Sequence, residues 1–206
     1  VSDMGADHGL SERAYAALKL DLVEGELPPG RVRIPHLVER YQAGATPVRE
    51  AMLRLVGEGL LVMPVQGGFE VPALDEIAVR HLYEIAQCSI LDAAACQIGA
   101  ASPLVFDERD ETGRAPAIER LFEFLAVRTG NPFFLARVRG LNDQMRRIRR
   151  AEESRLSGLH REFAALLGQI RRDERPLVRR SLIAYHKRRL RHLPEIVGAI
   201  PPGRRT

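Results

Sequence analysis

Thr46-Pro47-Val48-Arg49-Glu50-Ala51-Met52-Leu53-Arg54-Leu55-Val56-Gly57-Glu58-Gly59 is the stretch that decides the fold. Val48, Met52, Leu55 and Val56 recur three and four residues apart, which is one apolar face of a helix. Pro47 suits the first turn, Thr46 or Gly44 caps it, and Glu58-Gly59 stops it. Upstream, Gln42-Ala43-Gly44-Ala45 is a short break after a second helix that starts near Pro35 and runs through Leu37, Val38 and Tyr41. Before that, Leu27-Pro28-Pro29-Gly30 is a rigid turn. A first helix, with Ser11 as its cap, carries Tyr15, Leu18, Leu22 and Val23 and ends at Gly25. Downstream, Leu60 to Pro64 and Phe69-Glu70-Val71 read as two short strands around Val65-Gln66-Gly67-Gly68. Three helices and a β-hairpin in this order are a winged helix-turn-helix pattern, placed at residues 11–72 behind a flexible stretch, 1–10.

From Asp75 onward the periodicity is helical. Helices are expected over Asp75–Gly99, Ala117–Arg128, Phe133–Glu153, Leu156–Arg172 and Pro176 to about Val197, with a polar loop over Ala101–Pro116. The sequence therefore predicts a mainly α protein: the winged domain, then an all-helical bundle over 73–197, then a flexible tail, 198–206.

The 206 residues are 45% hydrophobic and 28% charged, which suits a chain that buries a core. No apolar run is long enough for a membrane span, and the first ten residues do not read as a secretory signal. Two cysteines eight residues apart, Cys88 and Cys96, exclude a disulfide framework and fit a reduced, cytoplasmic setting. Both are expected to be small buried hydrophobes. No nucleophile–base set, phosphate loop or dinucleotide fingerprint is present, so an enzyme is not expected. The net charge of +4 suggests a polyanion partner, but residues 1–75 hold seven basic side chains against eleven acidic ones. Any contact with nucleic acid from that part rests on where a few arginines point.

Gly25-Glu26-Leu27-Pro28-Pro29-Gly30, Leu37-Val38-Glu39-Arg40, Thr46-Pro47-Val48-Arg49-Glu50-Ala51, Glu58-Gly59-Leu60 and Gly68-Phe69-Glu70-Val71 together resemble the DNA-binding domain of GntR-family transcriptional regulators. The resemblance implies a double-stranded DNA operator as partner, with the helix opening at Thr46 and Pro47 in the major groove. Arg49 would reach a guanine or a phosphate, Arg54 and Arg33 phosphates, and Gln66 and Gly67 the minor groove from the wing. Two departures stand out. Gly44-Ala45 replaces a Ser-Arg pair, and Val62-Met63-Pro64-Val65-Gln66 replaces a basic wing. Both predict weak sequence-blind affinity and a shallow salt dependence.

Tyr83-Glu84-Ile85, Gly130-Asn131-Pro132 and two late histidines resemble the FCD effector domain of the FadR subfamily. That resemblance implies a bundle that takes a small, anionic metabolite beside a divalent metal held by one Asp and three His; a homodimer is expected because a two-fold protein matches a pseudo-palindromic operator. His160 and His186 carry over. The other two positions fall on Ile118 and Phe122, so two of the four ligands are missing unless the register slips to Glu119 and Glu123. Ala86 stands where the family often has an arginine. By helical spacing both histidines face the bundle interior, either as core side chains or as a ligand-facing pair. The runs Arg146-Arg147-Ile148-Arg149-Arg150, Arg171-Arg172, Arg179-Arg180 and Lys187 to Arg191 are expected to be solvated faces beside a core stripe. The alternative to a regulator is a degenerate ligand-binding or protein-interaction module that has lost operator binding, to which the acidic head and Gly44-Ala45 point.

Overall fold

The computed structural model describes residues 3–96 and 114–203. They form two compact units. The first comprises residues up to Ala73 together with the segment from Pro201, and the second spans Leu74–Ile200.

In the first unit, α1 (Asp3–Glu24), β1 (Gly30–Val32), α2 (Ile34–Tyr41), α3 (Ala45–Gly57) and β2 (Phe69–Val71) follow in order. Helix α3 forms where expected: Gly44, extended at φ −63° and ψ 162°, is its N-cap, and Glu58 closes it. Val48, Ala51, Met52 and Leu55 are buried against Leu18, Leu22 and Val23 of α1, with Phe69 and Val71 closing the core. Helix α1 starts well before Ser11. That hydroxyl caps nothing and instead donates to Glu50 Oε2 of α3 at 3.2 Å. The wing also differs from the expected hairpin. Its first strand is a single bridge, Val62 with Glu70, closed by two hydrogen bonds of 2.9 Å. The main partner of β2 is β1, antiparallel, with Arg31 opposite Glu70. Pro64 has no N–H to donate, which stops the first wing strand from extending.

The second unit is built from α4 (Glu76–Ala95), α5 (Arg114–Val127), α6 (Pro132–Arg155), α7 (Leu159–Arg171), α8 (Arg175–Arg191) and α9 (Leu193–Val197). Asp75 caps α4 by accepting from the Ala78 N–H at 2.8 Å, and Asn131 caps α6 by accepting from the Phe133 N–H at 3.0 Å. The expected last helix is two, because Pro194 cannot donate back to Leu190 and the chain breaks at His192. Helix α5 takes in residues 114–116 of the expected loop; 101–113 lie outside the described residues. One core joins Ile90, Leu121, Phe122, Leu125, Leu167, Leu182 and Tyr185 from α4, α5, α7 and α8. A second joins Val79, Tyr83, Met145, Ile148, Leu193 and Ile196. Ala199 and Ile200, placed in a flexible tail by the sequence, pack against that second core. Gly203, at φ +82°, lies so close to the Leu27–Pro28 turn that a Cβ there would stand 2.6 Å from Pro28 Cα.

Cys88 and Cys96 are free but exposed, not buried. The arginine runs are also not simply solvated: Arg147, Arg149 and Arg189 are buried. Among the described residues no helix is long and apolar enough to cross a membrane.

Leu18 is 1% exposed where α1 meets α3. Leu18→Ala is expected to lower the stability of the first unit by about 2–5 kcal/mol, read as an earlier denaturant midpoint in a chemical melt followed by circular dichroism.

Candidate functional site

Three surface features of the first unit carry exposed polar groups: the start of α3, the β1–α2 junction and the wing. The first turn of α3 contains no acidic residue and its cap supplies no side-chain hydrogen bond; Pro47 has no N–H and the Val48 N–H donates to Gly44 O at 3.2 Å, which leaves the Ala45 and Thr46 N–H groups without a side-chain acceptor. Thr46 is exposed there. Arg49 is exposed as well; its guanidinium lies 5.9 Å from the centre of the Phe69 ring. Arg33 is exposed at the N-cap of α2. Gln66 and Gly67 lie in the wing turn, where the Gly67 N–H donates to Pro64 O at 2.8 Å and Gly67 takes φ +78°.

Two of the expected contacts need correction. Arg54, though exposed, is paired with Glu12 of α1, and its guanidinium stacks 3.8 Å over the Tyr15 ring, so a phosphate would have to compete with that carboxylate. Pro47 is buried, with its ring turned back toward Gly44, so it shapes the turn and presents nothing outward. Lys19 and Arg40 are likewise held, by Glu58 and Asp21. Sequence reading missed Arg31 and His36. Arg31 lies along the wing, its Nη2 3.3 Å from the place of a Cβ on Gly68. With Arg33, His36 and Arg40 it lines one open groove. Alternation along β1 is the signal that could have found Arg31 and Arg33: they flank the inward Val32. Among the described residues Arg31, Arg33 and Arg49 make no ion pair.

The bundle holds a second polar centre. Arg189, 2% exposed, donates from Nε to Glu152 Oε2 at 2.8 Å and from Nη1 to Glu162 Oε1 and Tyr185 O, both at 3.0 Å. Tyr83 donates to the other Glu152 oxygen at 2.7 Å, and burial, reinforced by that carboxylate, pushes its hydroxyl pKa well up. Arg149 donates to Asn142 Oδ1 at 2.9 Å and lies 3.4 Å from Glu119. Helices α4, α5, α6, α7 and α8 are thus tied by buried charge. A cavity of about 20 Å³ opens beside them, lined by Ile118, Arg149, Glu152, Glu162, Tyr185 and Arg189 among others. Arg149 Nε and Tyr185 Oη are buried without a hydrogen-bond partner, and so is His186 Nε2 close by.

The residues read as metal ligands do not come together. His186 is buried, with Nδ1 hydrogen-bonded to Leu182 O at 2.8 Å and its ring stacked on Phe122. His160 is exposed, contrary to expectation. The inner stripe of α7 runs through Leu159, Phe163, Leu166 and Ile170, and His160 sits about 100° round from Leu159 in the open first turn. Glu119 is taken by Arg146 and Arg149; Glu123 accepts from Arg139 and Asn142. The family's remaining positions hold inward Ile118 and Phe122. Among the described residues no three His, Cys, Asp or Glu side chains are grouped to hold a metal ion. The donor set does not fit the four-ligand site that the resemblance implies.

The fold and the first of these sites define a winged helix-turn-helix domain, a class that reads DNA, followed by a helical bundle. Residues 10–71, most of the first unit, match the model of bacterial regulatory proteins of the gntR family. The chain is 32% identical over 71 residues to the HTH-type transcriptional repressor GlaR of Escherichia coli (strain K12), covering 34% of this chain and 32% of that protein. It is 36% identical over 74 residues to an uncharacterized HTH-type transcriptional regulator, BphR, of Paraburkholderia xenovorans (strain LB400), covering 35% and 30%. The match thus takes in about a third of the length of each curated relative. Among solved structures, Escherichia coli McbR/YncC superposes with a TM-score of 0.66 at 21% identity, over 90% of this chain and 97% of that one. A putative transcriptional regulator GntR from Rhodococcus sp. RHA1 gives 0.66 at 16% identity, over 93% and 99%. Those two likenesses concern the fold of the whole chain, bundle included.

Burial lowers the pKa of His186 from 6.5 to about 4, and the nearby Arg189 and Arg149 charges act in the same direction. The unfolded chain therefore binds this proton first as pH falls. Stability should drop between pH 6.5 and about 4 by on the order of 3 kcal/mol, with no dependence from this group above or below that window. His186→Phe is expected to flatten that part of a stability–pH profile relative to the parent. An unchanged slope would show that another group carries it.

Proposed function

We propose that this chain is a transcriptional regulator of the GntR type, in the FadR subfamily, with an FCD-like bundle that dimerises and takes a small metabolite. The gntR-family match over 10–71 carries the reading, and the exposed Thr46 and Arg49 at the head of α3 give it chemistry. Helix α3 enters the major groove by its first turn; Arg49 contacts a base edge or an adjacent phosphate, and Arg31 and Arg33 contact the backbone. Two copies are needed because one small, acidic head with few free cations binds weakly, and a two-fold protein matches a two-fold operator. Binding to the genome places the protein in the cytoplasm.

The effector reading is supported by the unsatisfied Arg149 Nε–H and Tyr185 O–H on the wall of the bundle cavity. Both can donate to a small anionic metabolite. As it stands the cavity has room for about one water. A metabolite must therefore move the helices apart to enter, and differential binding to the wider state is what would couple the bundle to the operator. No metal is required in this scheme.

The test is to enrich duplexes from a randomised pool with the full chain and to measure affinity across salt concentrations. Arg49→Ala should weaken the enriched duplex by roughly 5- to 150-fold. Arg33→Ala should weaken enriched and scrambled duplexes alike and lower the salt slope by about 0.9. Binding that stays sequence-blind and millimolar would instead favour a module that has lost its operator.

A further inference from the structure

The wing of the first unit is apolar where it protrudes. Residues 60–71 contain one charged side chain, Glu70, and no cation. Between the Val62–Glu70 bridge and β2 the chain turns through Pro64–Gly67, with Gly67 at φ +78° and Gly68 at φ +88°. This tight turn pushes hydrophobic side chains outward: Val65 is 102% exposed, Met63 49% and Val62 42%. A single exposed valine needs no explanation, but three apolar side chains within four residues on a narrow projection form a patch.

What stands at the base of the projection indicates its occupant. The Arg31 guanidinium lies along Gly68 and that of Arg49 over Phe69, so cations border the tip without reaching onto it. Charge at the base and apolar surface at the tip match a duplex groove, with phosphates at the rim and sugar and base edges inside. The minor groove, about 6 Å wide, admits a turn of this kind and excludes a helix. Apolar side chains that enter it unstack base steps and favour sequences that bend easily.

We propose that Met63 and Val65 form an apolar minor-groove wedge, through which the wing selects operators by the shape and deformability of the duplex. This rests on the DNA-binding reading above. It replaces the expectation that an uncharged wing merely weakens binding: such a wedge displaces no counterions, so it adds affinity for selected sequences without adding salt dependence.

The experiment uses the full chain, one duplex enriched from a randomised pool and one scrambled duplex. Met63→Ser with Val65→Ser should weaken the enriched duplex by about 10-fold, leave its salt slope unchanged and leave the scrambled duplex unaffected. Val65→Lys should steepen the salt slope by about 0.9 and narrow the gap between the two duplexes. Netropsin, which fills the minor groove, should abolish the difference between parent and double variant. Replacing thymine by uracil, which removes only major-groove methyls, should leave it intact. A loss under two-fold overturns the wedge, as does a difference that follows the thymine methyls, or a variant that changes the oligomeric state in sedimentation. Failure to enrich any duplex overturns the DNA reading and the wedge with it; enrichment with indifferent wing variants overturns the wedge alone.

Discussion

The packing of α3 on α1 is the constraint on which the first unit depends. Val48, Met52 and Leu55 settle against Leu18 and Leu22, and once that face is buried the rest of the helix has no freedom of aim. Arg49, one residue round from Val48, is turned outward, while Arg54, five further along, comes up beside Tyr15 and Glu12. Both arginines are exposed, but helical phase brings only Arg54 within reach of partners on α1. The same packing leaves the leading N–H groups of α3 clear of side chains, because Gly44 contributes no cap.

The bundle solves a different problem. Burying guanidinium groups is costly unless each finds counter-charges with good geometry. Arg189 finds them on two helices, α6 and α7, and Tyr83 of a third satisfies the remaining Glu152 oxygen. The network cross-links helices as a bound cation would, with the positive charge carried covalently by the chain. Phe122, stacked on His186, fills space that a ligand side chain would otherwise need. Arg149 is less completely matched: its Nε, like the Tyr185 hydroxyl on the wall of the same cavity, has no hydrogen-bond partner.

How much of this the sequence disclosed varied with the range of the interactions. The helices of the first unit were legible because apolar periodicity and Pro/Gly punctuation are local signals. Strand β1 was not: the glycine of Pro28-Pro29-Gly30 and the two residues after it become a strand only by pairing with Phe69–Val71, some forty positions away. The pairing of Arg54 was hidden for the same reason, since Glu12 is distant in sequence. The buried arginines were misread because alternation with apolar residues is equally compatible with a solvated face; what decides it is Glu119 of α5 for Arg149, and Glu152 of α6 and Glu162 of α7 for Arg189, each on a helix other than the arginine's own. His160 was misplaced because helical phase was extended into a first turn that nothing covers.

The return of Pro201–Gly203 to the first unit makes that unit discontinuous, with the whole bundle inserted between its parts. Gly203 seats against Pro28 in a space that admits no side chain. During synthesis, the first unit therefore emerges early yet lacks its last segment until well over a hundred further residues have been made. Completion of the head is delayed until the bundle has had its chance to fold, which builds an order of maturation into the connectivity itself.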